Sequence, residues 1–387
     1  MLTALAMSHY RSLVNIGIVP GRLTLITGPN GSGKSNLYRG LRLLAESAQG
    51  GVVNAAARDG GLSSMLWAGP ERPSRGMRAG QAPVQGGPRS RPVRLRLGFT
   101  SATYGYAFAL GLPPPSRSAF ALDPEIKREC LWAGPIYRPA SVLVDRDGPL
   151  IRAREGKNWQ VLAQHVNPFD SLFSQVGDAV LTPEILALRE QMRGWRFYDH
   201  FRTDHDAPVR QPQLGTRTPA LHHDGRDLAA ALQTIREIGD AALLEQSIAD
   251  AFPGAELAIV RHGGGRLGVE LSQPGLLRPM SSLELSEGTL RYLLWMAALL
   301  TPRPPPLMVL NEPETSLHPD LLPALARLII RASGQTQVWV VSHENRLIQP
   351  LAEAEGCEWI VLEKTFGETR IQGQGLLEGP AWRWPED

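Results

Sequence analysis

Apolar positions follow two periods along the chain, and the two alternate in blocks. "RLTLITGPNGSGKSNLYRGLRLLAES" opens with an apolar run, Leu23–Thr27, passes through a glycine-rich turn and resumes with Leu37, Leu41 and Leu44 at helical spacing. That is the pattern of a buried strand followed by a helix. "VRLRLGF" and "YGYAFALGL" alternate like strands of an antiparallel sheet, and "SVLVDRDGPLIRA" does so on either side of an Asp-Gly turn. Over 171–250 helical patterns dominate, including "DGRDLAAALQTIREIGDAALLEQSIADAF", with no sustained heptads for a long coiled coil. "ELAIVRH" and "RLGVELS" read as two further strands, and "TLRYLLWMAALL" as an apolar helix. "PLMVL" and "QVWVV" are runs short enough for strands buried on both faces; between them, about 319–332 places Leu321, Leu325, Leu328 and Ile329 on one helical stripe. The pattern predicts an α/β fold with an antiparallel β subdomain and an inserted helical lobe.

Bulk properties narrow the class without choosing a function. A chain of 387 residues buries a large core and suits two or three lobes. Forty Lys and Arg against 38 Asp and Glu leave a formal charge of +2, so contact with nucleic acid has to be local. The local candidate is "GPERPSRGMRAGQAPVQGGPRSRPVRLR", rich in Pro, Gly and Arg. From Arg72 to Arg96 it is strongly basic, and about 70–92 is expected to be a mobile loop able to meet a phosphate backbone non-specifically. Two cysteines, Cys130 and Cys357, point to reduced thiols rather than a disulfide framework. The start of the chain lacks the charged n-region of a secretory signal, and "YLLWMAALL" is about half the roughly 20 residues a membrane span requires. A cytoplasmic protein without membrane contact is expected.

The strongest chemical signal is Gly28 to Ser35, which matches G-x-x-x-x-G-K-[ST] in the strand-to-helix context that motif needs. Gly28, Gly31 and Gly33 let the backbone curl so that successive N–H groups face phosphates, and the helix that follows adds its positive end. Lys34 is placed to reach the β- and γ-phosphates and the Ser35 hydroxyl to ligate magnesium. The expected nucleotide-binding set is Gly28, Pro29, Asn30, Gly31, Ser32, Gly33, Lys34, Ser35 and Asn36, with ATP and Mg2+ as cofactors.

Four later motifs decide which kind of P-loop protein this is. "LELSEGTL" sets Leu285, Ser286, Glu287, Gly288 and Thr289 ahead of an apolar helix and resembles the LSGGQ signature of ABC-type ATPases. "PLMVLNEPE" resembles a Walker B segment, "TSLHP" lies where such proteins carry the D-loop, and "QVWVVSHE" ends at His343, the position of the switch histidine. With "SHYRSLVNIGI" before the P-loop and "NEPETSLHP" after the signature, the chain resembles stand-alone bacterial ATPases of the RecF- and SMC-like branch of ABC ATPases. The resemblance implies a split ATPase head: 1–165 as an N-terminal lobe with the P-loop and the antiparallel subdomain, 166–252 as the helical lobe, and 253–387 as a C-terminal lobe with the remaining motifs. It also implies an ATP-sandwiched homodimer, in which Ser286 and Gly288 of one subunit close on the γ-phosphate held by the other, and a role near DNA repair or defence against foreign DNA.

One position departs from the expected chemistry. Walker B strands end in Asp followed by Glu, whereas this one ends in Asn311 followed by Glu312. The Asn311 amide oxygen accepts a hydrogen bond from metal-bound water but supplies no charge. Glu312, the expected general base, is intact, and Glu314 offers a carboxylate in compensation. Slow ATP hydrolysis is therefore expected, the alternative being a non-hydrolysing ATP-gated scaffold that recruits an effector protein. A transporter subunit fits poorly, because the signature follows the P-loop by more than 250 residues. With 44 residues after His343, no Toprim-type nuclease domain is expected. Among weaker candidates, Gln175 in "SLFSQVGD" is the Q-loop residue and Arg11 approaches a phosphate from the first strand. His200, His205, His222 and His223 match no metal-ligand spacing and are expected in surface and capping roles.

Overall fold

The structure, a computed structural model, describes residues 1–71, 74–78, 80–84, 93–115, 117–120, 122–177, 180–375 and 379–385. The basic segment about 70–92 therefore lies in part outside the described residues. The chain divides into two compact units. The first comprises Met1–Pro20, Gly28–Gly194 and Ile360–Asp387, and the second Gly21–Thr27 and Trp195–Trp359. This division differs from three consecutive lobes: both units draw on early and late sequence, and the chain crosses between them immediately before the P-loop.

The first unit is built on an eight-stranded antiparallel sheet in the order Leu13–Ile18, Leu2–Tyr10, Leu95–Ser101, Tyr104–Gly111, Glu125–Ala133, Val142–Asp147, Leu150–Glu155 and Asn158–Ala163. The opening "SHYRSLVNIGI" is a hairpin rather than one strand. Tyr10 pairs with Leu13, so Arg11 and Ser12 form the turn, with Arg11 at φ 49°. Asp147 likewise pairs with Leu150, which makes Gly148 and Pro149, not Asp-Gly, the turn residues. Helix Lys34–Ser47 buries Leu37, Leu41 and Leu44. It runs so close to the first strand that a Cβ at Gly40 would lie 2.5 Å from the Met7 sulfur. Inside the unit sits a fully buried ion pair, Arg146 to Glu129 at 2.7 Å. The Glu129 carboxylate also accepts from the Tyr106 hydroxyl (2.7 Å), the Ser171 hydroxyl (2.6 Å) and the Leu172 N–H (2.8 Å).

The second unit holds a parallel sheet in the order Arg196–Tyr198, Leu307–Asn311, Gln337–Val341, Leu23–Thr27. Leu23–Thr27 and Gln337–Val341 are buried at every residue, and Leu307–Asn311 at all but its last. This is why their sequences are continuous apolar runs rather than alternations. Helices Leu228–Ile238, Glu287–Leu299 and Leu322–Ser333 contribute to one core with them. A smaller antiparallel sheet contains Gln213–Leu214, Arg266–Ser272 and Glu256–His262.

No single helical lobe spans 166–252. Helices Leu172–Gln175 and Pro183–Arg193 belong to the first unit, and Leu228–Ile238 and Ala241–Ala251 to the second. Between the pairs, the aromatic run 195–198 enters the parallel sheet and "DAPVRQP" breaks helical continuation. No helix among the described residues is long and apolar enough to cross a membrane. Both cysteines are free thiols, Cys130 buried and Cys357 partly so.

Candidate nucleotide site

The phosphate-binding loop leaves strand Leu23–Thr27 and enters helix Lys34–Ser47 as its sequence requires. Gly28, Gly31 and Gly33 have φ of 142°, 78° and 111°, in the region side chains avoid. Two of them are also fixed by close approach. A Cβ at Gly28 would lie 2.2 Å from the Leu362 carbonyl oxygen, and one at Gly33 2.1 Å from Thr369 Oγ1. The N–H groups of Gly33, Lys34 and Ser35 have no backbone acceptor among the described residues, so the first helical turn offers its donors outward. Lys34 Nζ donates to the carbonyls of Gly28 (2.6 Å) and Pro29 (3.2 Å), which holds the ammonium across the loop. Ser35, Pro29 and Asn30 are exposed, whereas the Ser32 hydroxyl is buried without a hydrogen-bond partner among the described residues.

A hydroxyl relay absent from the sequence reading braces this loop. Asn36 Nδ2 donates to Ser12 Oγ at 2.8 Å, Ser12 Oγ lies 2.7 Å from Thr369 Oγ1, and Thr369 Oγ1 donates to the Ser32 carbonyl at 2.7 Å. Asn36 is thus a brace as well as a loop residue. Arg11 lies after the first strand, not within it. In the hairpin turn its guanidinium is paired with Asp59 at 2.9 Å. Gln175 ends a one-turn helix capped by Ser171, and its amide donates to Asp170 at 3.2 Å.

In the second unit, Glu312, Glu314 and His343 cluster at the ends of two adjacent parallel strands. Glu312 follows strand Leu307–Asn311 at φ 49°, a strained conformation for a residue with a side chain. Its N–H donates to the Val341 carbonyl at 2.8 Å, and its own carbonyl accepts from Thr315 N at 3.0 Å. The strain is thus held by the neighbouring strand and the D-loop turn. The Asn311 amide oxygen is buried with no hydrogen-bond partner among the described residues. Glu314 Oε1 accepts from Ser342 Oγ (2.8 Å) and His343 N (2.9 Å) and lies 3.3 Å from His343 Nδ1; Glu312 Oε1 is 3.9 Å from the same nitrogen. Glu314 is therefore committed to the histidine turn, and one of its oxygens is unavailable to stand in for a missing aspartate.

The signature lies at the start of helix Glu287–Leu299. Ser286 caps it, accepting from Thr289 N at 3.1 Å. A Cβ at Gly288 would lie 3.0 Å from the Ser316 carbonyl oxygen, so the D-loop lies directly on that turn. Two buried arginines fasten this arrangement. Arg210 donates to the carbonyls of Ser282 (3.0 Å) and Leu285 (2.8 Å), just before the signature. Arg291 donates to the Thr315 and Phe201 carbonyls and to Thr203 Oγ1, at 2.8, 3.1 and 3.1 Å. Burial pushes the Arg291 guanidinium below its ordinary value. A cationic residue inside the apolar run "TLRYLLWMAALL" was the signal in sequence for Arg291; "PVRQP" gave little for Arg210. Of the histidines, His222 and His223 come together with Asp224, one ligand atom of each lying within 4.8 Å of the others, and the Asp224 carboxylate already accepts from His222 Nδ1 at 2.8 Å.

Across residues 23–129 and 145–349 the sequence matches the family model described as "AAA domain, putative AbiEii toxin, Type IV TA system". The chain belongs to this AAA family. No curated protein matches it in sequence. Among solved structures, an Smc head bound to the C-winged helix domain of ScpA aligns over 97% of this chain and 98% of that one, at 14% identity and a TM-score of 0.53. An Smc head with an extended coiled coil from Pyrococcus furiosus, bound to the C-terminal domain of ScpA, aligns over 96% and 95% at 14% identity and a TM-score of 0.49; the SMC head domain from Thermotoga maritima aligns over 96% and 97% at 17% identity and 0.40. This AAA protein has the fold of an SMC head, that is, of an ABC-type P-loop ATPase.

Proposed function

We propose that this AAA protein binds ATP with magnesium at its P-loop, closes as an ATP-sandwiched homodimer and hydrolyses ATP slowly. The observation that carries the reading is the strand-end cluster of the second unit. Glu312 is held in strained backbone beside His343, and the residue before it is an amide whose oxygen is buried without a partner. Glu312 is the base for the attacking water and His343 the group that senses the γ-phosphate. Magnesium, when bound, neutralises charge on the β- and γ-phosphates. The donor chemistry suits it: Ser35 is exposed in the first unit, and in the second the Asn311 amide oxygen has no partner among the described residues. Because Asn311 would meet the magnesium's water with a neutral dipole in place of a carboxylate, hydrolysis is expected to be slower by about tenfold to a thousandfold than with Asp. Gln175 remains the candidate Q-loop residue.

The dimer is tested by assembly. Ser286 and Gly288 need a γ-phosphate from a facing subunit, so Glu312→Gln with ATP and magnesium runs as a dimer in light scattering, and Glu312→Gln with Ser286→Arg stays monomeric. Equal masses for the two would remove the signature assignment.

A role near DNA repair or defence against foreign DNA accompanies this reading, with weak, sequence-independent DNA binding that falls steeply with salt. Deleting 72–91, an arginine-rich stretch, lowers DNA affinity while leaving ATP binding unchanged. DNA affinity that survives the deletion removes the segment from the account. A second reading, an ATP-gated scaffold that recruits an effector protein, is favoured by the same Asn311 if turnover is absent.

A further inference from the structure

We propose that His222, His223 and Asp224, in the second unit, form a binding site for a divalent transition-metal ion such as zinc, separate from the magnesium of the nucleotide site. One ligand atom from each of the three lies within 4.8 Å of the other two, and this is the one such group of His, Cys, Asp or Glu among the described residues.

Consecutive side chains of an extended chain point to opposite sides. Here a turn overrides that alternation: the Gly225 N–H donates to the His222 carbonyl at 3.0 Å, with His223 and Asp224 as its central residues. The His222 and His223 ring centroids are 4.1 Å apart, and the Asp224 carboxylate accepts from His222 Nδ1 at 2.8 Å. Spacing along the sequence gave no sign of this, because familiar zinc motifs separate their ligands by two or more residues.

The turn is anchored by groups outside the ligand set. Gly225 has φ 73°, and a Cβ there would lie 2.4 Å from Leu294 Cδ2 and 3.0 Å from Phe201 Cδ1. The Leu221 carbonyl accepts from the buried Tyr198 hydroxyl at 2.9 Å, and the His222 N–H donates to Asp227 Oδ1 at 3.1 Å. The backbone that carries the ligands is thus held by the core of the unit, while His223 is exposed and the cluster can be reached from solvent.

The donor set selects the metal. Two imidazoles and one carboxylate suit zinc, cobalt or nickel, whereas magnesium and calcium take oxygen donors. Donors on one zinc ion at about 2.0–2.2 Å stand about 3–4 Å apart. A set already within 4.8 Å closes by a small side-chain rotation, for which exposed His223 has room. Asp224 Oδ1 also accepts from the Arg226 N–H at 3.1 Å, a bond that directs the carboxylate. The Arg226 guanidinium, 3.7 Å from the other oxygen, is exposed and gives way at little cost. Three protein ligands leave a fourth position for water, the arrangement of open zinc sites.

Cobalt(II) is the probe, because its visible absorption reports both occupancy and ligand geometry. Untagged, nucleotide-free protein is expected to take up one equivalent; zinc displaces it and a large excess of magnesium does not. His223→Ala and Asp224→Asn each weaken binding by about tenfold or more, since changing even a residue outside a ligand set costs about 10–100-fold. His223 is exposed, and asparagine keeps an acceptor for the Arg226 N–H, so both variants fold, which circular dichroism checks. Cys357→Ser leaves spectrum and affinity as they were, which separates this cluster from the partly buried thiol. Absence of cobalt uptake, uptake indifferent to either His223→Ala or Asp224→Asn, or displacement by magnesium overturns the site.

Discussion

Glu312→Gln is expected to reduce steady-state phosphate release by about a hundredfold or more while ATP affinity stays within about twofold. The size of the loss follows from what the carboxylate does: a positioned general base contributes about 10²–10⁴ in rate, and glutamine cannot take a proton. Affinity is expected to be spared because the proposed phosphate cradle lies elsewhere, in the glycine loop, Lys34 and the first turn of helix Lys34–Ser47. Glutamine keeps the shape of the side chain and adopts the same backbone, which is held by Val341 and Thr315 rather than by the carboxylate. Phosphate release and fluorescent-nucleotide binding, measured on the same preparation, check both halves. Undiminished turnover would exclude Glu312 as the base and turn attention to Glu314, whose Oε1 is bound to Ser342 and His343 but whose Oε2 has no hydrogen-bond partner among the described residues.

The largest effect on stability is expected at the buried ion pair of the first unit. Glu129→Leu leaves the Arg146 guanidinium fully buried with only neutral carbonyl acceptors, Gly148 and Asn167 at 3.0 and 2.9 Å and the Asp170 carbonyl. It also strips the acceptor from Tyr106, from Ser171 and from the N–H of Leu172. Breaking a buried pair from one side costs about 3–5 kcal/mol, and the loss is read as a lower urea midpoint. Arg146→Leu in the same chain should recover part of it, because the uncompensated charge is then gone. A single variant whose midpoint matches the unaltered protein would show that the pair contributes nothing net.

What the sequence disclosed and what it concealed divide by distance along the chain. The P-loop was legible because its requirements are local: three glycines with left-handed φ, a lysine and a serine at fixed spacing, a strand before and a helix after. The strands at 23–27, 256–262 and 266–272 were legible from periodicity alone, and the turns that carry Glu312 and His343 because each follows a strand of near-continuous apolar residues. The braces were not. Ser12 and Thr369 are 357 residues apart, and each looks like an ordinary polar residue until the fold brings their hydroxyls together. Arg11 reads as a surface cation because its partner, Asp59, lies 48 residues away. The helical pattern of 171–250 was read correctly in part, but periodicity carries no information about which compact unit a helix joins, and the four helices there are shared between two. Glu314 shows the same limit on a smaller scale. Proximity to Asn311 in sequence suggested compensation; the fold adds that Oε1 is bound to Ser342 and His343, while Oε2 is buried without a partner among the described residues.

The most direct test of a slow ATPase limited by Asn311 is steady-state phosphate release by Asn311→Asp compared with the unaltered protein, across a magnesium titration. Restoring the carboxylate should raise turnover by about tenfold to a thousandfold and reduce the magnesium concentration needed for half-maximal rate, since a charged acceptor orients metal-bound water more strongly than an amide. No hydrolysis above background in the unaltered protein, together with none in Asn311→Asp, would contradict the account and leave ATP as a ligand that gates assembly without being consumed.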